Sequence, residues 1–376
     1  MKVVGIICEY NPFHNGHKYQ IDLLKKEYDA VVCIMSGSFV QRGDVSIFDK
    51  WTRTKAALSS GCDLVIELPQ AYTLSSAQGF AKGSVDILTK SGVIDALSFG
   101  SECGDIDVLT KAADILLNET ENISQKIKEN LKNGMSYPSA RQNAYKGIID
   151  SVLLSSPNNI LALEYIMEIK KQNSPIIPIT HTRSDSGYHS MDTASGFASA
   201  TKLREMIKSG EDIADFVPYD YTGCDTYDLD KLSDIFKYIL IRDGVGVFSG
   251  ISDIETGLDN RFIKSLHLNT ISEIIDNVKT KRYTKTRLNR IVCRVLLGIK
   301  NDIKPAEYIR ILGMSEIGKV ILSDMKKKSE YPIINKVADF DENLIKTDIL
   351  ATDISAMCSS KNTPKGRDFT TSPIII

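Results

Sequence analysis

Apolar and polar positions alternate in blocks along the first half of the chain. Short apolar runs, rich in β-branched residues and nearly free of charge, are separated by segments with helical spacing. Such runs are typical of buried parallel strands rather than of strands with one face in water. They cover residues 3–8, 30–35, 64–69, 96–99 and 176–180. The pattern predicts an α/β fold with an open, mostly parallel sheet, whose proline-containing last run lies at an edge.

The strand pattern fades after Arg204, and the second half reads as mainly helical. Helical spacing of apolar residues is found at 232–242, 271–278 and 288–299, and a further helix is expected to begin at Ser315. We therefore predict two domains, an α/β domain at 1–205 and a mainly helical domain at 206–376.

Composition places the chain among ordinary globular proteins. It has 376 residues, 42% apolar and 25% charged, with a net charge of −2. No apolar run approaches the roughly 20 residues of a membrane helix, and we expect neither a signal peptide nor a membrane partner. The seven cysteines are scattered without a Cys-x-x-Cys pair, so we expect reduced thiols in a cytoplasmic protein. Nucleic-acid binding would need a local basic patch.

Two histidines, His14 and His17, lie where the first strand passes into the first helix. Pro12 prevents the strand from continuing, and Gly16 allows close approach to the backbone. A helix N-terminus carries unpaired N–H groups and binds anions such as phosphate. Two imidazoles above it suit a phosphate chain whose charge grows as a nucleotide bond breaks. The alternative is a capped turn with two surface histidines.

Other polar residues follow later strands, where ligands of α/β sheets bind. Two glycines, a glutamine and an arginine at 36–44 suit a ligand loop, with a long surface turn as the alternative. Gly100 allows a nucleotide to lie against the backbone. Asn158 and Asn159 suit either a helix cap or an adenine edge or ribose. The chain has no Gly-x-Gly-x-x-Gly and no P-loop motif, which disfavours dinucleotide oxidoreductases and P-loop enzymes. Arg53 and Lys55 are interpreted as a solvated helix face, with contact of Arg53 to a phosphate as the alternative.

A basic segment at 279–294 holds seven basic residues and no acid. Apolar residues at helical spacing mark a core face, with an arginine stripe beside it, which suits a helix on a phosphate backbone. Tyr283 adds a surface for base stacking. The alternative is a solvated basic helix. The candidate RNA contacts are Lys281, Arg282, Tyr283, Lys285, Arg287, Arg290 and Arg294.

The string from His14 to His17 resembles the HxGH signature of the nucleotidyltransferase superfamily. The longer strings 9–17, 36–43, 63–69, 99–102, 157–161, 188–189, 281–284 and 310–313 resemble the bacterial tRNA(Met) cytidine acetate ligase family. The resemblance runs along most of the chain. It implies a Rossmann-like nucleotidyltransferase domain followed by a helical, tRNA-contacting one. It also implies a ligase that activates acetate with ATP as acetyl-adenylate and acetylates the wobble cytidine of elongator tRNA(Met).

The resemblance also implies site residues. His14 and His17 would be catalytic, with Ser199, Thr201 and Arg204 at a second phosphate-binding helix start. Either Asn158 or Asn159 would contact the nucleotide. The remaining ATP contacts carried over are Ile7, Cys8, Glu9, Tyr10, Asn11, Pro12, Phe13, Asn15, Gly16, Lys18, Tyr19, Gln20, Gly100 and Arg183. ATP is expected as a substrate, and Mg²⁺ is expected only from phosphate chemistry, since no carboxylate cluster suggests itself as its ligand.

Two alternatives stand beside the ligase. One is an HxGH adenylyltransferase acting on a small metabolite, with the basic segment incidental, and activity independent of tRNA would favour it. The other is a non-catalytic RNA-binding protein that has kept a nucleotide site, which failure to turn over ATP with any acid would favour.

Overall fold

A mixed sheet forms the centre of the fold in the computed structural model, which describes residues 1–182, 196–251, 253–301 and 307–376. Its strands lie in the order β10-β8-β5-β2-β1-β6-β7, with β9 beside β8, while β3 and β4 form a separate hairpin. The strands are β1 (Val3–Cys8), β2 (Ala30–Ser36), β3 (Phe39–Val40), β4 (Asp44–Val45), β5 (Leu64–Leu68), β6 (Ala96–Ser101), β7 (Ile177–Thr182), β8 (Ile309–Met314), β9 (Ile333–Ile334) and β10 (Ile374–Ile375).

Helices cover both faces of this sheet and build the second half of the chain. The α-helices are α1 (Asn15–Leu24), α2 (Lys50–Ser59), α3 (Gln70–Thr73), α4 (Ala77–Lys90), α5 (Ile106–Leu117), α6 (Glu121–Lys132), α7 (Tyr137–Ala144), α8 (Ser151–Ser155), α9 (Pro157–Lys171), α10 (Ala200–Ser209), α11 (Ser233–Asp243), α12 (Leu258–Lys264), α13 (Ile271–Val278), α14 (Lys285–Leu297), α15 (Glu316–Lys328), α16 (Glu342–Ala356) and α17 (Arg367–Thr370). Short 3₁₀ helices lie at Ala214–Phe216, Leu229–Leu232, Gly244–Phe248 and Val337–Asp339. Within the described ranges, no helix is both long and apolar enough to cross a membrane.

The strand order reverses beside β1. The chain passes from β1 to β2 and β5 on one side, and β6 and β7 then add on the other side, all in parallel. A ligand crevice is expected at the carboxyl end of such a switch point, and the two histidines follow β1 there. The α/β class and the edge position of the proline-containing strand β7 are confirmed.

The second half of the chain returns to the sheet, a feature that the sequence pattern did not predict. Strand β8 pairs antiparallel with β5, and β10 pairs parallel with β8. Residues from 309 onward thus complete the sheet of the first half, whereas the apolar core of the helical part includes α11, α13 and α14. The division of the chain at residue 205 stays a prediction.

Four charged side chains, less than 5% exposed, join these returning residues to the sheet. Lys50 Nζ lies 2.8 Å from both Glu67 Oε1 and Asp368 Oδ1. Arg310 contacts the same carboxylates, with NH1 3.0 Å from Glu67 Oε2 and NH2 2.6 Å from Asp368 Oδ1. Two cations and two anions balance, which is the condition for burying charge at tolerable cost. We call this group the buried charge cluster.

The buried charge cluster makes the free energy of unfolding depend on pH in the acid range. Burial raises the pKa of Asp368, but Lys50 and Arg310 outweigh it and hold that pKa at about 2, below the ordinary 3.8. A depressed carboxyl pKa stabilises the fold above pH ~4, and this stabilisation is lost as pH falls towards 2. Asp348 has the opposite slope, because burial raises its pKa to about 6: the fold favours its protonated form, and its contribution to stability falls as pH rises from about 4 to about 6.

We therefore expect Asp368→Asn to destabilise the protein most above pH 4, with a difference from wild type that narrows towards pH 3. Denaturant unfolding at several pH values measures it. A difference that does not change between pH 5 and pH 3 would refute this assignment to the Asp368 carboxylate.

Candidate active site

The two histidines cap helix α1 through the inner nitrogens of their rings. His14 is the N-cap residue, and its Nδ1 accepts the backbone N–H of Gly16 at 3.1 Å. His17 Nδ1 accepts the backbone N–H of His14 at 3.2 Å, which completes a reciprocal capping box. The rings stack with centroids 3.7 Å apart. A side chain at position 16 would place its Cβ 2.9 Å from His14 Cε1, so it would push the imidazole out of its capping position.

This capping selects the tautomer of each neutral ring. An Nδ1 that accepts a hydrogen bond carries no proton, so in each neutral imidazole the proton is on Nε2. Each Nε2–H is therefore a donor, and both belong to a helix N-terminus that already favours negative charge. The pair expected from the sequence is confirmed as a neighbouring pair, and its geometry suits stabilisation of an anion.

Buried aromatic side chains pack against the histidine pair. Tyr10 is buried, and its ring lies 4.8 Å from that of His17, while the buried Phe13 ring lies 5.5 Å from it. Tyr10 OH contacts Cys33 Sγ at 3.2 Å, and burial raises the pKa of this phenol well above its ordinary value. Tyr10 and Phe13, which were expected among the ATP contacts, therefore pack against the His17 ring from inside the protein.

Arg53 joins the loops that follow β1 and β2, which corrects its interpretation as part of a solvated face. The side chain is fully buried, and its guanidinium donates to the carbonyls of Glu9 (2.6 Å), Ser36 (3.0 Å) and Gly37. Burial lowers its pKa to about 10. An interior arginine was not visible in the pattern, because its acceptors are main-chain carbonyls at distant positions.

The start of helix α10 lies against the histidine loop. Arg204 donates to the Asn11 carbonyl at 2.7 Å and to Thr201 Oγ1 at 3.1 Å, and Ser199 caps the helix by accepting the N–H of Lys202. On the other side, Asn15 Nδ2 donates to the Gly196 and Asp215 carbonyls at 2.8 and 2.9 Å. The structure thus brings together the two helix starts that the sequence singled out, and burial lowers the pKa of Arg204.

A third helix start, that of α9, meets the end of β6 through Glu102. Its carboxylate accepts the backbone N–H groups of Asn158 (3.2 Å) and Asn159 (2.7 Å), and also Asn158 Nδ2 at 2.9 Å. Asn159 is buried, with its amide bound to Cys103 N and the Val152 carbonyl. Glu102 was not among the predicted site residues, although a carboxylate just after Gly100 at a strand end was a visible signal for a capping contact.

The remaining expected ATP contacts occupy varied positions. Gln20 Nε2 reaches Ser98 Oγ on β6 at 3.5 Å, whereas Lys18 pairs with Asp22 on the surface and Tyr19 is exposed. Gly100 pairs with His181 across β6 and β7. Ile7 and Cys8 end strand β1, while Pro12 follows a cis peptide bond. Arg183 lies outside the described residues, as does the motif at 188–189.

The predicted ligand loop after β2 connects this site to helix α14. Gln41 N donates to Glu9 Oε1 at 2.7 Å, and Gly43 packs directly on the helix. At φ +80°, a Cβ on Gly43 would lie 2.3 Å from the backbone nitrogen of Arg290, which cannot move aside. Glycine is therefore required for this loop to contact both the histidine segment and α14.

Replacing Gly43 by alanine is expected to move the loop off α14 and to destabilise the fold by about 1–3 kcal/mol. Gly298→Ala is the matched control, since Gly298 ends the same helix at φ +64° with nothing within 4 Å of the added Cβ. Denaturant unfolding compares the two. Equal losses would mean that backbone strain alone accounts for the effect and that the contact with α14 contributes nothing.

The basic segment is more buried than its sequence indicates. Arg294 is buried and donates to the Leu74 and Lys300 carbonyls, and Arg290 is likewise buried. Tyr283 is 8% exposed, with the guanidinium of Arg287 5.2 Å from its ring centre. This corrects the interpretation of an open arginine stripe with a stacking tyrosine, because Tyr283 and Arg294 are buried, and only 17% and 11% of the Arg287 and Arg290 side chains are exposed. Lys281 and Lys285 are exposed, and Arg282 is partly so.

A metal site does not follow from the protein side chains. Across the described ranges, no three His, Cys, Asp or Glu residues lie close enough together to hold an ion. No protein side chain in these ranges is therefore assigned as a ligand of Mg²⁺.

Paired histidines at a helix start, beside the switch point of a parallel sheet, are the arrangement expected of a nucleotidyltransferase. The model of a protein family described as HIGH Nucleotidyl Transferase matches residues 1–368 of this chain. Two bacterial proteins named tRNA(Met) cytidine acetate ligase are similar over their full or nearly full lengths. That of Clostridium perfringens is 39% identical over 402 residues, with both chains covered to 100%. That of Caldanaerobacter subterraneus is 41% identical over 384 residues, with 94% of each covered.

Solved structures agree with this. Thermotoga maritima TmcAL bound with alpha-thio ATP superposes with a TM-score of 0.90 at 31% identity, and each chain is covered to 100%. Its apo form gives the same TM-score at 30% identity. The chain belongs to the tRNA(Met) cytidine acetate ligase family and is a ligase that uses ATP as a substrate.

Proposed function

We propose that this enzyme activates acetate with ATP and transfers the acetyl group to the wobble cytidine of elongator tRNA(Met). The observation that supports the first step is the histidine pair. Because each Nδ1 accepts a backbone N–H, the donor of each neutral ring is Nε2–H, and both donors lie at the N-terminus of α1. In that step an acetate oxygen attacks the α-phosphorus and pyrophosphate leaves. The negative charge that grows on the phosphate oxygens is stabilised by these donors and by the helix terminus.

Arg204 supplies a fixed positive charge at the adjoining helix start. Because it is held by the Asn11 carbonyl and Thr201 Oγ1, its guanidinium is fixed beside the histidine loop. We assign it, with Ser199 and Thr201, to the phosphate chain. Of the two candidate asparagines we assign the nucleotide contact to Asn158, because its side chain is partly exposed whereas Asn159 is fully buried.

In the second step the cytidine N4 amine attacks the carbonyl carbon of acetyl-adenylate, the amine loses a proton, and AMP leaves. No covalent enzyme intermediate is needed, so positioning and electrostatics account for the chemistry. The base must leave its stack, which the single-stranded anticodon loop permits. We assign the RNA contact to the exposed part of the basic segment, Lys281, Arg282 and Lys285, with Arg287 beside them.

ATP–pyrophosphate exchange tests the first step. Purified protein is expected to exchange labelled pyrophosphate into ATP when acetate is present and without tRNA, but not in the absence of an acid. Propionate and formate serve as comparisons for the size of the acid. Exchange with none of these acids, or only with another metabolite, would reject acetate activation while leaving the nucleotide site intact.

A further inference from the structure

Two acidic side chains lie on the arginines of the basic segment. Arg287 donates from Nε and NH2 to the Asp253 carbonyl at 2.9 and 2.5 Å, and from NH2 to Glu255 Oε1 at 2.9 Å. Arg290 NH2 lies 3.3 Å from Asp253 Oδ2, and Arg282 pairs with Glu255 Oε2. We call Arg282, Arg287 and Arg290 the arginine cluster, and Asp253 with Glu255 the acidic pair.

The acidic pair satisfies the arginine cluster only in part. The buried Nε atoms of Arg282 and Arg290 have no hydrogen-bond partner. Asp253 also holds a left-handed backbone conformation, with φ +73°, which is unfavourable for a residue with a side chain. The contact is therefore one that a better-matched anion could replace.

Phosphate is such an anion. Guanidinium groups bind carboxylate and phosphate oxygens in the same forked geometry, and phosphate offers more acceptor oxygens. The segment at 279–290 contains no acid, and its exposed Lys279, Lys281 and Lys285 extend the positive charge beyond the arginine cluster. A chain of phosphates fits this extended arrangement better than a single small anion, which indicates an RNA backbone.

We propose that the acidic pair occupies phosphate positions of the arginine cluster and that the tRNA backbone displaces it on binding. The proposal rests on the proposed function in one respect, namely that the partner is tRNA. It explains why a basic, acid-free segment has its arginines neutralised in the structure. It also predicts that removal of the two carboxylates strengthens tRNA binding, because they no longer compete with the tRNA phosphates for the arginine cluster. Mutation of a residue that contacts tRNA directly would weaken binding instead.

The test compares tRNA affinity of the full-length protein and of Asp253→Asn with Glu255→Gln, alone and combined. Asparagine tolerates the left-handed conformation, so the backbone is conserved at position 253. With an elongator tRNA(Met) transcript in a filter-binding assay, the double variant is expected to bind about three- to tenfold more tightly than wild type. Its affinity is also expected to fall more steeply with added salt, because more phosphate contacts form.

Glu316→Gln on α15 is the matched control, since it removes one charge from an exposed pair with Lys319. Circular dichroism and thermal unfolding verify that each variant is folded. Unchanged or weaker binding by both folded single variants would overturn the proposal, as would equal tightening by Glu316→Gln. These outcomes differ from a failure of the proposed function. In that case the wild-type protein itself would show no acetate-dependent ATP–pyrophosphate exchange or would not bind this tRNA.

Discussion

His14→Asn and His17→Gln are expected to reduce acetate-dependent ATP–pyrophosphate exchange by about 10²- to 10³-fold each, with little loss of stability. Removal of one donor to a developing oxyanion costs that much in comparable sites. The replacements are chosen because asparagine is a good N-cap residue and glutamine completes a capping box at the third helical position. They keep the capping contacts of α1 while removing Nε2–H from its place.

Alanine variants at the same positions separate capping from chemistry. His14→Ala also removes the cap, so it is expected to lose exchange activity and about 1 kcal/mol of stability. Binding of tRNA should be retained in all four variants, because the basic segment is built by other residues. Exchange that survives in the Asn and Gln variants would contradict the role of the imidazoles, and tRNA binding lost with exchange intact would contradict the assignment of the site.

Lys50→Met is expected to lower the free energy of unfolding by about 3–5 kcal/mol, the cost of leaving buried charges uncompensated. The ammonium lies within 3.0 Å of both Glu67 oxygens and of Thr352 Oγ1, and it also contacts Asp368. Methionine fills similar space without charge. Two buried carboxylates would then face one cation, Arg310.

Lys55→Met is the matched control, because it makes the same substitution on the same helix at an exposed position. Its effect is expected to stay within about 0.5 kcal/mol. Guanidinium denaturation followed by circular dichroism measures both variants. Similar values for the two would show that the buried charge cluster adds no net stability and that the returning residues, β8 and α17, are held by apolar packing alone.

The parallel sheet and its switch point were predictable because β1, β2, β5 and β6 are continuous apolar runs, each followed by a helical pattern. The histidine pair was predictable for the same reason, since one strand and one helix fix its surroundings. Strand β8 was not predictable in this way. It carries Arg310 in its interior, and a charge in a six-residue run argues against a buried strand until its partners, Glu67 and Asp368, are known.

The roles of individual polar residues depended even more on distant contacts. Arg53 resembles any exposed arginine in a helix pattern, yet its acceptors are carbonyls at the ends of two strands. The arginines of α14 looked free because their partners, Asp253 and Glu255, lie more than 30 residues earlier in the chain. Spacing predicts which face a residue shares with its neighbours, whereas burial and pairing are decided by the segments that pack onto that face.

Acetylation of tRNA tests the central claim most directly. Purified protein would be incubated with ATP, labelled acetate and an elongator tRNA(Met) transcript, and the RNA would then be digested to nucleosides. We predict label in N4-acetylcytidine, derived from the wobble position and absent when that cytidine is replaced by uridine. Acetate-dependent exchange without any labelled nucleoside would contradict the account, because the histidine site would then serve an acceptor other than this RNA.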